Sequence, residues 1–249
     1  MIGVIGGNGV AATNRLCQLI EEKLTKGGAF RDAHHPEMII WQATHAPSRS
    51  MYLEGRGPSW IEDYVEIGNK MKSIGCDELC MCCNTAHYAI DELERNIGIH
   101  FVNLLDLVAL QCHRIGAQKI GMMCSDGLCK VGLYEKRFSI HAPEIKIVYP
   151  DAKNQELVTM GICNAKNNTR FADKTTEPLH PYNCFYSVCR HLIDEKHVDC
   201  IVAGCTDISN VFTFAETDDC QYVDSLIVLA DYIVNKQSLF SDNQQNGIC

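Results

Sequence analysis

Glu78-Leu79-Cys80-Met81-Cys82-Cys83-Asn84-Thr85-Ala86-His87 reads as a short apolar run that stops abruptly at a thiol, an amide and a hydroxyl. An apolar run of this length, cut off by polar residues, is the mark of a strand buried on both faces. It has an echo in the second half of the chain, Cys200-Ile201-Val202-Ala203-Gly204-Cys205-Thr206-Asp207. In both segments a cysteine stands where the strand ends and the next turn begins. If the two halves face each other, Cys83 and Cys205 flank one cleft. That is the geometry needed to take a proton from one face of a carbon and return it to the other.

Outward from these two segments the chain alternates strand and helix. Met1 to Ile5 runs into the glycine turn Gly6-Gly7-Asn8-Gly9, and Leu16, Leu19, Ile20 and Leu24 then recur at helical spacing until Gly27-Gly28. Met38 to Trp41, Glu78 to Cys82, Phe101 to Val102, Lys119 to Met123, Ile145 to Tyr149 and Asp199 to Ala203 read as further strands, with helical periodicity over Tyr64 to Ser73 and Tyr186 to Glu195. Such alternation predicts an α/β chain with parallel sheets and right-handed crossovers. The pattern restarts near Lys119-Ile120-Gly121-Met122-Met123-Cys124-Ser125-Asp126-Gly127. Two similar Rossmann-like lobes are therefore expected, residues 1–103 with 221–249 in the first and residues 104–220 in the second, the helix Ser225 to Val234 returning to the first. Asn164 to Asn183 is polar and carries Pro178 and Pro181, so it reads as a long loop placed to cover the cleft. From about Gln237 the chain is polar and expected to fray.

Hydrophobic residues make up 46% of the 249 residues, enough for a substantial core. The formal charge of -9 argues against nucleic acid or an anionic membrane as a partner, so any anion must be held by local groups. No basic-then-apolar leader opens the chain and no apolar stretch reaches membrane-spanning length, so the expected location is cytoplasmic. The 15 cysteines are an odd number without a secretory signal, and most read as reduced packing thiols.

Gly7-x-Gly9-x-x-Ala12 follows a strand and opens a helix, as a dinucleotide fingerprint does. That reading also wants an acidic residue after the next strand, where this chain has Gln42, Ala43 and Thr44. Nucleotide binding is thus disfavoured, while the turn can still meet a small anion through backbone N–H groups. Cys83 precedes Asn84, Thr85 and the helical register of Ala89 to Leu93, a helix N-terminus that favours a carboxylate or a thiolate. Zinc is the competing use of Cys80, Cys82, Cys83 and His87. Along a strand, however, Cys80 and Cys82 point one way and Cys83 the other, and no partner pair stands at ribbon or finger spacing. Arg49, just after the second strand, can hold a carboxylate with two parallel hydrogen bonds. Lys166 sits in a polar loop where solvated lysines are ordinary. His87 and Asp207 follow the two thiols and can tune them or serve as caps.

Taken together, these residues resemble the aspartate/glutamate racemase superfamily, and within it the aspartate racemase-type branch, over nearly the whole chain. The anchors are Gly6-Gly7-Asn8-Gly9, Pro47-Ser48-Arg49, Gly57-Pro58-Ser59, Cys83-Asn84-Thr85-Ala86-His87, Asp126-Gly127, Gly204-Cys205-Thr206 and Asp224-Ser225. The resemblance implies two α/β lobes related by a pseudo-twofold axis, a site in the cleft between them, a two-base mechanism that needs no cofactor, and commonly a homodimer. It makes Cys83 and Cys205 the acid/base thiols. Asn84, Thr85 and Thr206 would bind the α-carboxylate and amino group of an amino acid, Arg49 its side-chain carboxylate, and Lys166 would match a family lysine. Asn8, Val10, Ser48 and Asp207 replace the family's usual Met, Pro, Asp and Glu in the expected cleft, which bears on substrate identity. Two other outcomes are weighed beside the racemase: another cysteine-dependent enzyme of the same fold, such as a maleate isomerase or a decarboxylase, and an amino-acid-binding protein without turnover.

Overall fold

The structure, a computed structural model, describes residues 1–215 and 220–245. β1 (Ile2–Gly6), β2 (Met38–Gln42), β3 (Glu78–Met81) and β4 (His100–Phe101) form a parallel sheet in the order β2-β1-β3-β4. β5 (Lys119–Met123), β6 (Lys146–Val148), β7 (Cys200–Ala203) and β8 (Gln221–Asp224) form a second parallel sheet in the order β6-β5-β7-β8. Counted from the start of each half the two orders are the same, so the repeat in the sequence is a repeat in the fold. The seven expected strands all form, with ends displaced by at most one residue.

β8 was not expected. Gln221–Asp224 pairs beside β7 in the second sheet, and only the helix after it returns across the molecule. That helix, α10 (Ser225–Gln245), also runs past the expected ends at Val234 and Gln237. Tyr232 and Lys236 anchor it, donating to the Glu78 carboxylate at 3.0 and 2.6 Å. No helix among the described residues is long and apolar enough to cross a membrane.

Three apolar layers follow from the period of two along each strand. Ile2, Val4, Cys80 and Cys82 of the first sheet share one core with Ile120, Met122, Cys200 and Val202 of the second. α1 (Val10–Lys26), α5 (Leu104–Arg114) and α10 fill the space between them with residues such as Leu16, Leu105 and Leu229. Ile5, Leu79 and Met81 face the other way onto Trp60, α3 (Ile61–Ser73) and α4 (Ile90–Ile97). Met123, Ile201 and Ala203 face α8 (Ala152–Asn164) and α9 (Pro181–Asp194). Local caps set the helix starts: Asn103 accepts from the N–H groups of Leu105 and Asp106 to open α5, and Asp151 accepts from Asn154 to open α8. The short helices α2 (Arg49–Leu53), α6 (Asp126–Val131) and α7 (Leu133–His141) complete the chain.

Candidate active site

Parallel strands deliver the turns that follow them to one edge of the sheet. The turns after β1, β2 and β3 meet those after β5 and β7 around a cavity of about 340 Å³. Asn8, Arg49, Cys83, Asn84, Thr85, Lys166, Cys205 and Thr206 all line it, as do Ser48 and Asp207, whereas His87 and Val10 do not.

On the first-lobe side, Gly7 adopts φ +81°, and a Cβ there would lie 2.6 Å from the backbone nitrogen of Ala43. Only glycine fits this turn. Thr13 ties it down by accepting from the Gly7 N–H and donating to the Gly9 carbonyl, both at 3.0 Å. Asn8 is buried, its amide donates to the Tyr64 hydroxyl, and its Oδ1 has no partner among the described residues. Cys83 leads not into an α-helix but into a 3-10 turn over Asn84–Ala89, with α4 starting only at Ile90. The helix N-terminus expected beside the thiol is thus a tighter turn.

His87 serves the backbone rather than the thiol. Its Nε2 accepts from the Leu104 N–H at 3.1 Å, which leaves the ring proton on Nδ1 to reach the Cys83 carbonyl at 2.9 Å. Burial pushes its pKa down to about 4, against the raising effect of those carbonyls, and keeps the ring neutral. Asn84 is locked at both ends of its amide, donating to the Ser225 hydroxyl at 3.0 Å and, across the cleft, accepting from the Tyr134 hydroxyl at 2.7 Å. The Thr85 and Ser125 hydroxyls also meet across the cleft, at 3.1 Å.

On the second-lobe side, a Cβ on Gly204 would lie 2.7 Å from the Met122 sulfur and 3.0 Å from the Tyr134 ring, so the close approach before Cys205 needs glycine. The Cys205 thiol points at Asp207 Oδ2, 3.9 Å away, and that oxygen is ion-paired with Lys166 Nζ at 2.9 Å. Burial, then the Asp207 charge, pushes the Cys205 pKa up, with Lys166 pulling the other way. Burial also raises Asp207, opposed by Lys166, and works against the Lys166 ammonium, but the Asp207 charge lifts that lysine above its ordinary value. Thr206 donates its hydroxyl to the Cys82 carbonyl at 3.2 Å, a further tie between the lobes.

Arg49 opens α2, which Ser48 caps by accepting from the Met51 N–H at 3.4 Å. Its guanidinium donates to the carbonyls of Pro47, Ala46 and Asn8 at 2.8, 3.3 and 3.4 Å, and its Nε is buried without an acceptor among the described residues. Sequence reading missed Thr159, Ile162 and Cys163, which line the cavity together with Lys166. Their spacing of three, four and seven places them on one helical face of α8 and its extension, a signal that was present in the sequence. Asp126 lines the cavity too, with its carboxylate held by Gln155 and Thr159 at 2.8 and 2.9 Å. The competing metal set does not converge: Cys80 and Cys82 lie in the central core, Cys83 faces the other way, and His87 bonds the backbone.

The family model for Asp/Glu/hydantoin racemases matches residues 2–233. The chain belongs to this family. It is therefore a racemase of the kind that works without pyridoxal phosphate. It is 21% identical over 242 residues to the broad specificity amino-acid racemase RacX of Bacillus subtilis (strain 168), a match covering 94% of this chain and 97% of that one. Among solved structures this racemase is similar to the Picrophilus torridus aspartate racemase, with a TM-score of 0.76, 23% identity and coverage of 95% and 94%. It is also similar to glutamate racemase isoform RacE1 of Bacillus anthracis, with a TM-score of 0.63, 16% identity and coverage of 100% and 83%. These likenesses extend to the two-lobed fold with its two four-stranded parallel sheets.

Proposed function

We propose that this racemase inverts an acidic amino acid, aspartate or glutamate, held between Cys83 and Cys205, with the two sulfur atoms as opposed acid and base. The observation that carries the reading is the shared cavity, in which two thiols from equivalent strand ends face one space about 340 Å³ in volume. An amino acid fits there. The cavity offers Arg49 to a side-chain carboxylate and the Thr85 and Thr206 hydroxyls to the α-carboxylate and amino group, and Asn8 lies in its lining.

The α-hydrogen is far less acidic than a thiol of pKa roughly 8.5, so hydrogen bonds must stabilise the carbanion-like transition state as it forms. Burial and the Asp207 charge keep Cys205 protonated at rest. In the proposed scheme Cys205 is therefore the donor, and Cys83 is the base that takes the α-proton from the opposite face. The Cys205 thiol then delivers its proton to the carbon, and its new negative charge lies beside the Lys166 ammonium. The reverse substrate meets the exchanged states.

Cys83→Ala and Cys205→Ala are each expected to lose racemisation by at least about a thousandfold, while keeping α-hydrogen exchange on the one enantiomer that the surviving thiol can reach. Incubating both variants with L- and D-aspartate and L- and D-glutamate in deuterated water separates the outcomes by mass and optical rotation. Substantial racemisation by either variant would contradict the scheme.

A further inference from the structure

On a protein of formal charge -9, three basic side chains, Arg49, Lys166 and Arg170, gather around a second cavity of about 590 Å³. This outer cavity shares Asn8, Ser48, Arg49, Lys166 and Asp207 with the thiol cavity, but neither Cys83 nor Cys205 lines it. Arg49 and Lys166 thus form the partition between the two spaces, and Arg170 belongs to the outer one. Lys166 spends its charge on Asp207. Arg49 donates to backbone carbonyls, and Arg170 donates to the Ala165 carbonyl at 3.3 Å while its guanidinium lies 4.4 Å from the Phe171 ring centre. Among the described residues neither guanidinium has a carboxylate within ion-pair distance, and the one carboxylate in the lining, Asp207, feels both arginines but is paired with Lys166. The Arg49 Nε is buried with no acceptor. Three basic side chains around one carboxylate leave a net positive charge at this cavity, which suits an oxyanion, and the planar fork of arginine can meet it with paired donors.

We propose that the outer cavity is an oxyanion subsite in which Arg170, together with Arg49, takes the distal anionic group of a substrate whose α-carbon lies between the thiols. The proposal rests on the racemase reading of the inner cavity. It makes chain length the basis of selection. Each methylene carries the distal carboxylate about 1.3 Å further from the α-carbon, so aspartate ends at the partition, while glutamate and its homologue with one more methylene reach towards Arg170. The same donors would accept a free oxyanion from solution, and inorganic phosphate is the probe for that source.

The test uses the full chain as wild type, Arg170→Ala and Arg170→Lys. Calorimetric titration with inorganic phosphate at constant ionic strength reads the subsite without turnover, and Arg170→Ala should weaken binding by about tenfold or more, with Arg170→Lys restoring part of it. In parallel, α-hydrogen exchange in deuterated water is measured with aspartate, glutamate and 2-aminoadipate. The KM for glutamate and 2-aminoadipate relative to aspartate should rise by about tenfold in Arg170→Ala. Competition between phosphate and glutamate assigns the donors to the substrate's own carboxylate. Phosphate binding that depends on Arg170 without such competition replaces that source with a free oxyanion and overturns the chain-length claim. Phosphate binding and KM ratios that are both indifferent to Arg170 overturn the subsite itself. If the wild type exchanges no amino acid, the racemase reading fails on its own, and the phosphate titration still decides the subsite.

Discussion

Beyond the effect of burial, Asp207 and Lys166 pull the Cys205 thiol in opposite directions, and in the proposed scheme their balance bears on which sulfur is the resting acid. Removing the carboxylate charge in Asp207→Asn should lower the pH at which Cys205 reacts with iodoacetamide, because a nearby anion disfavours the thiolate. Removing the ammonium in Lys166→Met should raise it. Peptide mass spectrometry of alkylation across a pH series reads both, and shifts in the same direction would dissolve the assigned roles. His87 gives a pH dependence of the fold. Its pKa of about 4 lies below the value of roughly 6.5 expected in the unfolded chain, so its contribution to stability is complete above that value and is lost as pH falls through about 4. A gap of that size corresponds to about 3 kcal/mol. Urea denaturation of wild type and His87→Asn over this range should show a steeper acid loss in the wild type, and parallel curves would show that the ring does not titrate as described. At this scale Cys83 and Cys205 were legible because their flanks repeat in the chain. The partner of Lys166 was not, since a loop lysine meets Asp207 only after two distant segments are brought together by the fold.

Among the elements, the glycine turn after β1 has the least freedom. Gly7→Ala would put a Cβ 2.6 Å from backbone at a positive φ, and no flexible side chain can yield to it. The expected cost is about 2–4 kcal/mol, read as a lower urea midpoint with an unchanged slope. A neutral result would mean that the turn can be remade. The strands were readable because parallel strands buried on both faces stand out as apolar runs. β8 escaped notice because Gln221-Tyr222-Val223-Asp224 has a polar residue at each end and only two apolar residues between. The 3-10 turn after Cys83 was read as helix because apolar spacing over six residues separates the two poorly, and the tighter winding becomes visible only in the hydrogen bonds. The cleft-facing side of α8 and the turn after it is periodic, but its polar residues Thr159 and Lys166 carry no apolar signal.

Across the whole molecule, one apolar layer joins the two sheets, and α10 returns from the second to lie against α1 and α5. The cleft is bridged as well, by Asn84 to Tyr134, Thr85 to Ser125, and Thr206 to Cys82. We take residues 1–103 with α10 as one lobe and residues 104–224 as the other, and these ties fix their separation. The duplicated strand order was legible because each half repeats its strand-and-turn pattern, whereas the outer cavity was not, because Arg170 joins Arg49 only through the packing of the loop after α8. In the proposed scheme a carbon placed between lobes so fixed meets one sulfur on each face. The most direct measurement is the site of deuterium at early times, when the wild-type enzyme converts a single enantiomer in deuterated water. Two opposed thiols predict deuterium at the α-carbon of the product enantiomer and almost none in the remaining substrate. Equal label in both from the outset would mean that one group serves both faces, and would contradict the account.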